Sequence, residues 1–83
     1  MASMLYARNL PAEATEDDVR RVLEHHGKII DIEFLPDARK DTDRKVALIR
    51  MDLPHYETEM IAEKFNGRIV RGQRIRMYAT MHE

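Results

Sequence analysis

Arginine and tyrosine are the side chains in this sequence that are best suited to binding a ligand. Ten of the 14 basic residues are arginine, which stacks on flat rings and forms paired hydrogen bonds with phosphates. Four of them lie between residues 66 and 81, a stretch without acidic residues: Arg68, Arg71, Arg74 and Arg76. Aromatic rings interleaved with arginines are typical of surfaces that bind nucleic acids, and Tyr6 and Tyr78 lie close to arginines in the sequence.

The charges are unevenly distributed along the chain. The net charge of −1 does not by itself indicate a nucleic-acid-binding protein. Residues 1–43 contain 6 basic and 10 acidic side chains, whereas residues 44–83 contain 8 basic and 5 acidic ones. An acidic helix beside a basic strand would give the same distribution in an ordinary domain. The arginines therefore indicate a binding surface only if they share one face of the fold.

Catalytic and metal-binding arrangements are not recognisable in the sequence. The absence of cysteine excludes a thiolate zinc site, an iron–sulfur cluster and a cysteine nucleophile. His25 and His26 are adjacent, so they point about 100° apart on a helix and do not easily bind one metal ion. His26 is expected to be a packed imidazole, and His55 and His82 have no partner at ligand spacing. We therefore predict a non-enzymatic protein without a metal ion or other cofactor.

The length of 83 residues is that of one small domain, which we predict to span residues 1–83. With 43% apolar and 35% charged residues, the composition is that of a folded rather than a disordered chain. No apolar run reaches the roughly 18–20 residues of a membrane-spanning helix, and no secretory signal is visible. These features predict an intracellular protein, cytoplasmic or nuclear, without a membrane partner.

The first half of the sequence predicts a strand, a helix and a second strand. Residues 3–9 form an apolar–polar run that ends at Leu10-Pro11. A helix is predicted over 15–26, because Thr15 and Asp18 can form a capping box and Gly27 supplies a stop. Residues 28–35 then alternate with a period of two, which predicts a half-buried strand with three inward side chains: Ile30, Ile32 and Phe34.

The second half of the sequence predicts a loop, a strand, a helix and a last strand. The polar segment that begins at residue 37 is expected to be a loop, and a strand follows over 45–51. A helix over 55–65 stops at Asn66-Gly67, and the fourth strand covers 74–80. The order β-α-β-β-α-β is that of the ferredoxin-like α+β fold. Two helices then cover one face of a four-stranded antiparallel sheet and leave the other face open.

Four segments of the chain resemble the RNA recognition motif family, and the resemblance extends over essentially the whole chain. The family's first-strand hexamer is matched by LYARNLP at 5–11, and its third-strand octamer by RKVALIRM at 44–51. Its first helix is matched by TEDDVRRVLEHHGKI at 15–29, and its final segment by FNGRIVRGQRIRM at 65–77. The resemblance implies a domain that binds single-stranded RNA on the open face of its sheet.

The octamer departs from the family pattern at the positions that stack bases. It keeps the basic start, Arg44, and the small Ala47, but Val46 and Leu48 replace the two outward aromatics. In the hexamer the outward aromatic remains as Tyr6. Each base–aromatic stack contributes roughly 1–3 kcal/mol, so the loss of two predicts weak or atypical RNA binding that depends on salt.

The RNA site implied by the resemblance combines outward positions of the strands. Tyr6 and Tyr78 are expected to stack bases, while arginines contact phosphates or stack as guanidinium planes. The predicted site residues are Tyr6, Arg8, Arg44, Val46, Leu48, Arg50, Arg74, Arg76 and Tyr78. Asp31 and Glu33 are expected on the same face, where they oppose a polyanion, read a base edge or pair with the arginines.

A protein contact is the alternative that the sequence leaves open. An apolar patch occupies the middle of the open face if four side chains all point outward: Met4, Leu35, Val46 and Leu48. Such patches mark partner surfaces, so this patch, or the helices, could bind a protein partner or a second copy of the chain. One variant of the family binds a peptide tryptophan with an Arg-x-Phe sequence after its second helix. This chain has Arg68-Ile69-Val70 there, so the arginine is present and the phenylalanine is not.

Overall fold

The computed structural model describes residues 3–36 and 43–80, which form two helices and six strands. In chain order, the elements are β1 Ser3–Leu10, α1 Glu16–Leu23, β2 Ile29–Pro36, β3 Lys45–Met51, α2 His55–Phe65, β4 Ile69–Val70, β5 Gln73–Arg74 and β6 Arg76–Thr80. Most of the predicted polar loop, residues 37–42, lies outside the described residues. No helix in the described ranges is long and apolar enough to cross a membrane.

The main sheet contains four antiparallel strands in the order β2-β3-β1-β6. Both helices pack on one side of this sheet: α2 contacts β6 and β1, and α1 contacts β2. The other side, which we call the open face, is not covered by either of these helices. The predicted ferredoxin-like α+β fold is therefore confirmed.

The hydrophobic core lies between the sheet and the two helices. Its largest fully buried side chains come from both layers and include Leu5, Leu23, Ile49, Met51 and Phe65. Successive side chains of a strand point to opposite faces of a sheet. The sequence neighbours of the buried strand residues therefore point to the open face.

β2 differs from the predicted alternation at its start. The register against β3 shifts between Ile29 and Asp31, which leaves Ile30 45% exposed while Ile29 packs against the core. A bulge of this kind inserts one extra residue and moves the alternation by one position. The predicted inward position of Ile30 is therefore wrong, whereas Ile32 and Phe34 do pack against the core.

α1 begins at the predicted capping box and ends earlier than predicted. Thr15 Oγ1 accepts a hydrogen bond from the Asp18 N–H at 3.3 Å, and Asp18 Oδ2 accepts one from the Thr15 N–H at 2.9 Å. The His26 N–H donates to the Leu23 carbonyl at 2.9 Å, which tightens the chain into a turn after Leu23.

The His26 ring packs edge-on against Phe65, with 4.8 Å between centroids, and burial lowers the pKa of this imidazole.

A pair of buried hydroxyl groups joins the start of β1 to the start of α2. The hydroxyls of Ser3 and Thr58 are hydrogen-bonded to each other, and both residues are buried. Ser3 Oγ also lies 3.1 Å from the Leu53 carbonyl oxygen, and Thr58 Oγ1 lies 3.2 Å from that of Pro54. Each buried hydroxyl therefore has a polar partner, which removes most of the cost of burying it.

A short hairpin, β4–β5, separates α2 from the last strand, and the alternation of the sequence does not predict it. Arg71 and Gly72 form its two-residue turn, with φ angles of 50° and 80°. Positive φ at both central positions is the geometry that matches the twist of short hairpins. The last strand consequently begins at Arg76 rather than at residue 74, and Arg74 belongs to the hairpin.

Two side chains connect this hairpin to the rest of the fold. Asn9, at the bulged end of β1, has a φ of 67° and donates from Nδ2 to the Arg74 carbonyl at 2.9 Å. Asparagine adopts this left-handed conformation more readily than most residues. On the helical side, Arg71 Nε donates to Asp18 Oδ2 at 2.6 Å. The hairpin is thus held to both the sheet and α1.

The ion pair of Asp18 and Arg71 makes the stability of the fold depend on pH. The hydrogen bond from Arg71, followed by that from the Thr15 N–H, lowers the pKa of Asp18 below its ordinary value of 3.8. Such a carboxyl stabilises the fold above its unfolded pKa and loses this contribution as the pH falls through the lowered folded pKa. We expect Asp18→Asn to lower the urea midpoint at pH 7, and the difference from the unmodified chain to vanish below the lowered pKa.

Asp17→Asn is the matched control, because it removes the same charge from a neighbouring, exposed position in the first turn of α1. Urea unfolding followed by circular dichroism, repeated from neutral to acidic pH, compares the two variants. Equal losses for both variants at neutral pH would contradict the contribution of the ion pair. A loss of stability in Asp18→Asn that persists unchanged in acid would also contradict this contribution.

Candidate nucleic-acid interface

The strand register arranges the side chains of the open face in three rows. Residues that are paired across neighbouring strands point to the same face of a sheet. From β2 to β6, the first row is Asp31, Arg50, Met4 and Thr80, the second is Glu33, Leu48, Tyr6 and Tyr78, and the third is Leu35, Val46, Arg8 and Arg76. In the third row, the bulge at the end of β1 lies between Val46 and Arg8.

The second row contains both tyrosines of the open face. Tyr6 on β1 is opposite Tyr78 on β6 and also opposite Leu48 on β3. Tyr78 is 42% exposed and Tyr6 is half-buried, so both side chains reach solvent. Opposed residues of antiparallel strands have Cβ atoms about 4.5–5.5 Å apart. The two rings and the leucine therefore form a continuous strip across three strands.

The third row places positive charge beside the tyrosines. Arg8 on β1 is opposite Arg76 on β6. Two cationic side chains at opposed positions can together hold one anion. Val46, in the same row, is only 8% exposed and does not belong to the main core cluster, so it is covered on the open face.

The β2 side of the open face is acidic. Asp31 Oδ2 accepts a hydrogen bond from Arg50 Nη1 at 3.2 Å, and Glu33 lies opposite Leu48. Both side chains of the ion pair are about half exposed, and such pairs contribute about 0–1 kcal/mol, so a phosphate can compete for the arginine. Within residues 3–36 and 43–80, no three His, Asp or Glu side chains form a possible metal site. The open face thus changes from acidic at β2 to basic at β6.

Two of the predicted site residues lie outside the three rows. Arg74 pairs with β4 in the hairpin, and its Nη1 donates to the Gly67 carbonyl at 3.0 Å. The structure therefore does not place Arg74 beside Arg76 on the last strand, as the alternation predicted. Arg44 immediately precedes β3 and is half-buried. The other predicted site residues share the open face.

The four apolar residues of the predicted patch all point to the open face, but they contribute unequal surface. Leu35 is 40% exposed at the β2 edge, whereas Met4 and Leu48 are half-buried in the first and second rows. Val46 is buried, so the patch is interrupted at its centre. The accessible apolar surface is therefore smaller than four outward side chains would suggest.

Asn9 and Thr80 also belong to this region, although neither is among the site residues predicted from the sequence. Thr80 completes the first row next to Met4, and Asn9 holds the hairpin against the end of β1. Asparagine at the end of a strand-like run is a signal for a left-handed residue. Thr80 carries no comparable signal, because threonine is common on exposed strand positions.

The fold of the chain is similar to that of known proteins. The family model of the RNA recognition motif matches residues 5–76. No curated protein matches the chain significantly. The Pes4 RRM3 structure is 18% identical and superimposes with a TM-score of 0.77, covering 96% of this chain and 93% of that chain.

Two similar structures contain RNA. The MEC-8 C-terminal RRM domain bound to AGCACA is 21% identical, with a TM-score of 0.71, and the match covers 99% of this chain and 94% of that chain. The Sxl-lethal protein/RNA complex is 26% identical, with a TM-score of 0.66, and the match covers 95% of this chain and 47% of that chain. These matches establish a shared fold.

The family match extends over most of the described structure. Residues 5–76 run from β1 to the first residue of β6 and include both helices and the hairpin. The match also supports an RNA-binding module, since the family is in general a family of non-enzymatic RNA-binding domains. The chain belongs to the RNA recognition motif family.

Proposed function

We propose that the chain binds single-stranded RNA on the open face of its sheet. The observation that carries the proposal is the side-by-side position of Tyr6 and Tyr78, next to the opposed Arg8 and Arg76. Rings that reach solvent can stack bases, and adjacent guanidinium groups can bind the phosphates between those bases. Membership of the family and the similarity in fold to two RNA complexes support the same activity.

Each side chain has a distinct role in the proposed complex. Tyr6 stacks one base at the centre of the sheet, and Tyr78 stacks its neighbour towards the edge. Arg8 and Arg76 bind phosphate. Arg50 exchanges its exposed carboxylate partner for a phosphate. The RNA therefore lies mainly over β1 and β6 and reaches β3 at Leu48 and Arg50, where it comes close to the acidic side chains of β2.

The expected affinity is low, because Val46 and Leu48 occupy the two octamer positions where the family pattern has aromatics. Two missing stacks remove roughly 2–6 kcal/mol of binding free energy. Leu48 can still contact a base through its apolar side chain, and Arg44 adds a charge at the start of β3. Arg74, which is bonded to Gly67, takes no part in the proposed site. For an RNA hexamer we expect a Kd of roughly 0.1–1 mM.

An NMR titration of the isotope-labelled chain with a degenerate pool of RNA hexamers tests this proposal. We expect the amide shifts to concentrate at Tyr6, Leu48, Arg76 and Tyr78. Repeating the titration at higher salt should weaken binding, because log K for single strands falls by about 0.7 per phosphate for each tenfold rise in salt. The salt slope then counts the phosphates that the arginines hold.

Unchanged spectra at millimolar RNA would contradict the proposal, and so would shifts confined to the helices. The open face would then be tested as a protein-binding surface. Leu48→Glu adds a charge to the second row and should disrupt a dimer or peptide complex formed there. Tyr6→Ala and Arg76→Ala should weaken RNA binding without altering self-association.

A further inference from the structure

α2 has apolar side chains on both of its faces. Ile61 and Phe65 are buried in the core, but Tyr56 and Met60 are 63% and 64% exposed. The latter two are four residues apart and therefore adjacent on the helix surface. A helix on the surface of a domain needs apolar residues only on the face that packs against the core. The exposed pair is thus not explained by the folding of the domain.

Tyr56 and Met60 line a shallow groove of about 600 Å³, widely open to solvent, between α2 and the neighbouring strand β6. We call it the α2 groove; its walls are formed within residues 56–63 and 77–79. Tyr78, one of the two tyrosines of the open face, also lines it and is 42% exposed. The α2 groove is therefore continuous with the proposed RNA site around the edge of the sheet.

The charged side chains of the α2 groove are all acidic among the residues that the structure describes. Glu59 and Glu63 line it, both are exposed, and no lysine or arginine is part of the described lining. They are four residues apart on the helix, a spacing at which like charges repel each other and destabilise the helix. Glu59 lies 3.2 Å from His55 Nε2 at the start of α2. A cation placed between Glu59 and Glu63 would remove their repulsion.

One backbone group on the edge of β6 already has a side-chain partner. Its Met77 N–H already donates to Asn66 Oδ1 at 3.0 Å. Addition of a peptide strand needs a row of free backbone groups along the edge. The row is interrupted at Met77, whereas the side chains of Met60, Tyr78 and the glutamates line the α2 groove.

We propose that the α2 groove binds a short segment of a protein partner in which an apolar side chain is flanked by lysine or arginine. The apolar side chain packs between Met60 and Tyr78, and the flanking cation lies between Glu59 and Glu63. Such a segment carries positive charge, whereas RNA is a polyanion and is repelled by the two carboxylates. The protein segment and the RNA thus use different parts of the surface and meet only at Tyr78.

Selection from a phage-displayed library of random decapeptides tests the proposal, because it requires only the chain itself and not an identified partner. We expect the selected peptides to share an apolar residue next to lysine or arginine. A synthetic peptide of that sequence should shift the amides of residues 56–63 and 77–79 in the isotope-labelled chain. Met60→Gln should weaken its binding about tenfold, a loss typical of a central interface side chain.

Charge reversal with a matched control tests the role of the glutamates. Glu63→Lys should weaken the selected peptide about tenfold or more. Glu24→Lys makes the same change in charge on the exposed end of α1 and should leave peptide binding unchanged. Met60→Gln should not weaken binding of the RNA hexamers, whereas Tyr78→Ala should weaken both ligands. Failure of the peptide site and failure of the RNA site are therefore distinguishable.

Several outcomes would overturn the proposal. Selected peptides that are acidic or lack a shared apolar residue would exclude the chemistry proposed for the partner, and so would a library that yields no binder. Peptide shifts centred on the open face instead of the α2 groove would exclude the site. A dimer in sedimentation that dissociates in Met60→Gln would show that the groove is covered by a second copy of the chain.

Discussion

Phe65→Ala is expected to lower the free energy of unfolding by about 3–5 kcal/mol, the usual cost of truncating a buried phenylalanine. Phe65 is 2% exposed at the end of α2, where its ring contacts the edge of the His26 ring. The Arg68 guanidinium also lies over this ring, 4.6 Å from its centroid. A domain of this size has a total stability of about 4–12 kcal/mol. The variant should therefore lose a large fraction of the stability of the domain and unfold at a clearly lower urea concentration.

Phe34→Ala is the matched control for this prediction. It deletes the same side chain from β2, where Phe34 is only half-buried and packs at the border of the core beneath Lys45. Urea unfolding at 25 °C, followed by circular dichroism, gives both free energies. We expect Phe34→Ala to lower the free energy of unfolding by clearly less than Phe65→Ala does. Equal losses would show that Phe65 does not have the central role in the core that its burial indicates.

Tyr6→Ala is expected to weaken RNA binding by roughly 5- to 150-fold, which corresponds to one lost base stack of about 1–3 kcal/mol. Tyr6 is the central member of the strip in the second row, with Tyr78 and Leu48 on either side. Because the octamer lacks its two aromatics, the remaining rings carry a larger share of the binding free energy. Fluorescence anisotropy with a labelled RNA hexamer pool measures the change.

The control for Tyr6→Ala is Tyr56→Ala, which removes the same side chain from the outer face of α2. Tyr56 is 63% exposed and lies on the helical side of the sheet, so RNA binding should be unaffected. Thermal unfolding of both variants separates a loss of binding from a loss of folding. If both variants weakened RNA binding equally, or neither did, the proposed position of the RNA on the open face would be wrong.

The alternation of the strands predicts most of the fold and of the open face. The third strand and the second helix are observed at the predicted residues, 45–51 and 55–65. Both elements have ends that the sequence marks: Leu53-Pro54 follows the strand, and Pro54 and Asn66-Gly67 delimit the helix. The same alternation places Tyr6, Leu48 and Tyr78 on one face, and the register brings them into one row.

Features that depend on single backbone conformations were not predictable from this pattern. The bulge at Ile30 keeps the local composition of a strand but moves one side chain from the core to solvent. The hairpin turn at Arg71-Gly72 lacks the asparagine that usually marks such turns. The alternation therefore predicts Arg74 in the last strand, although hydrogen bonds with Asn9 and Gly67 hold it in the hairpin. Long-range contacts of this kind have no periodic signature in the sequence.

The change from acidic to basic side chains across the open face also bears on how an RNA strand first meets the domain. The four strands of the sheet span about 14 Å from β2 to β6. At 0.1 M salt, charges act over a Debye length of about 10 Å, which is a similar distance. An approaching polyanion is therefore repelled by Asp31 and Glu33 and attracted by Arg8 and Arg76 while it is still in solution. This field steers the strand towards β6 before contact, so productive collisions become more frequent.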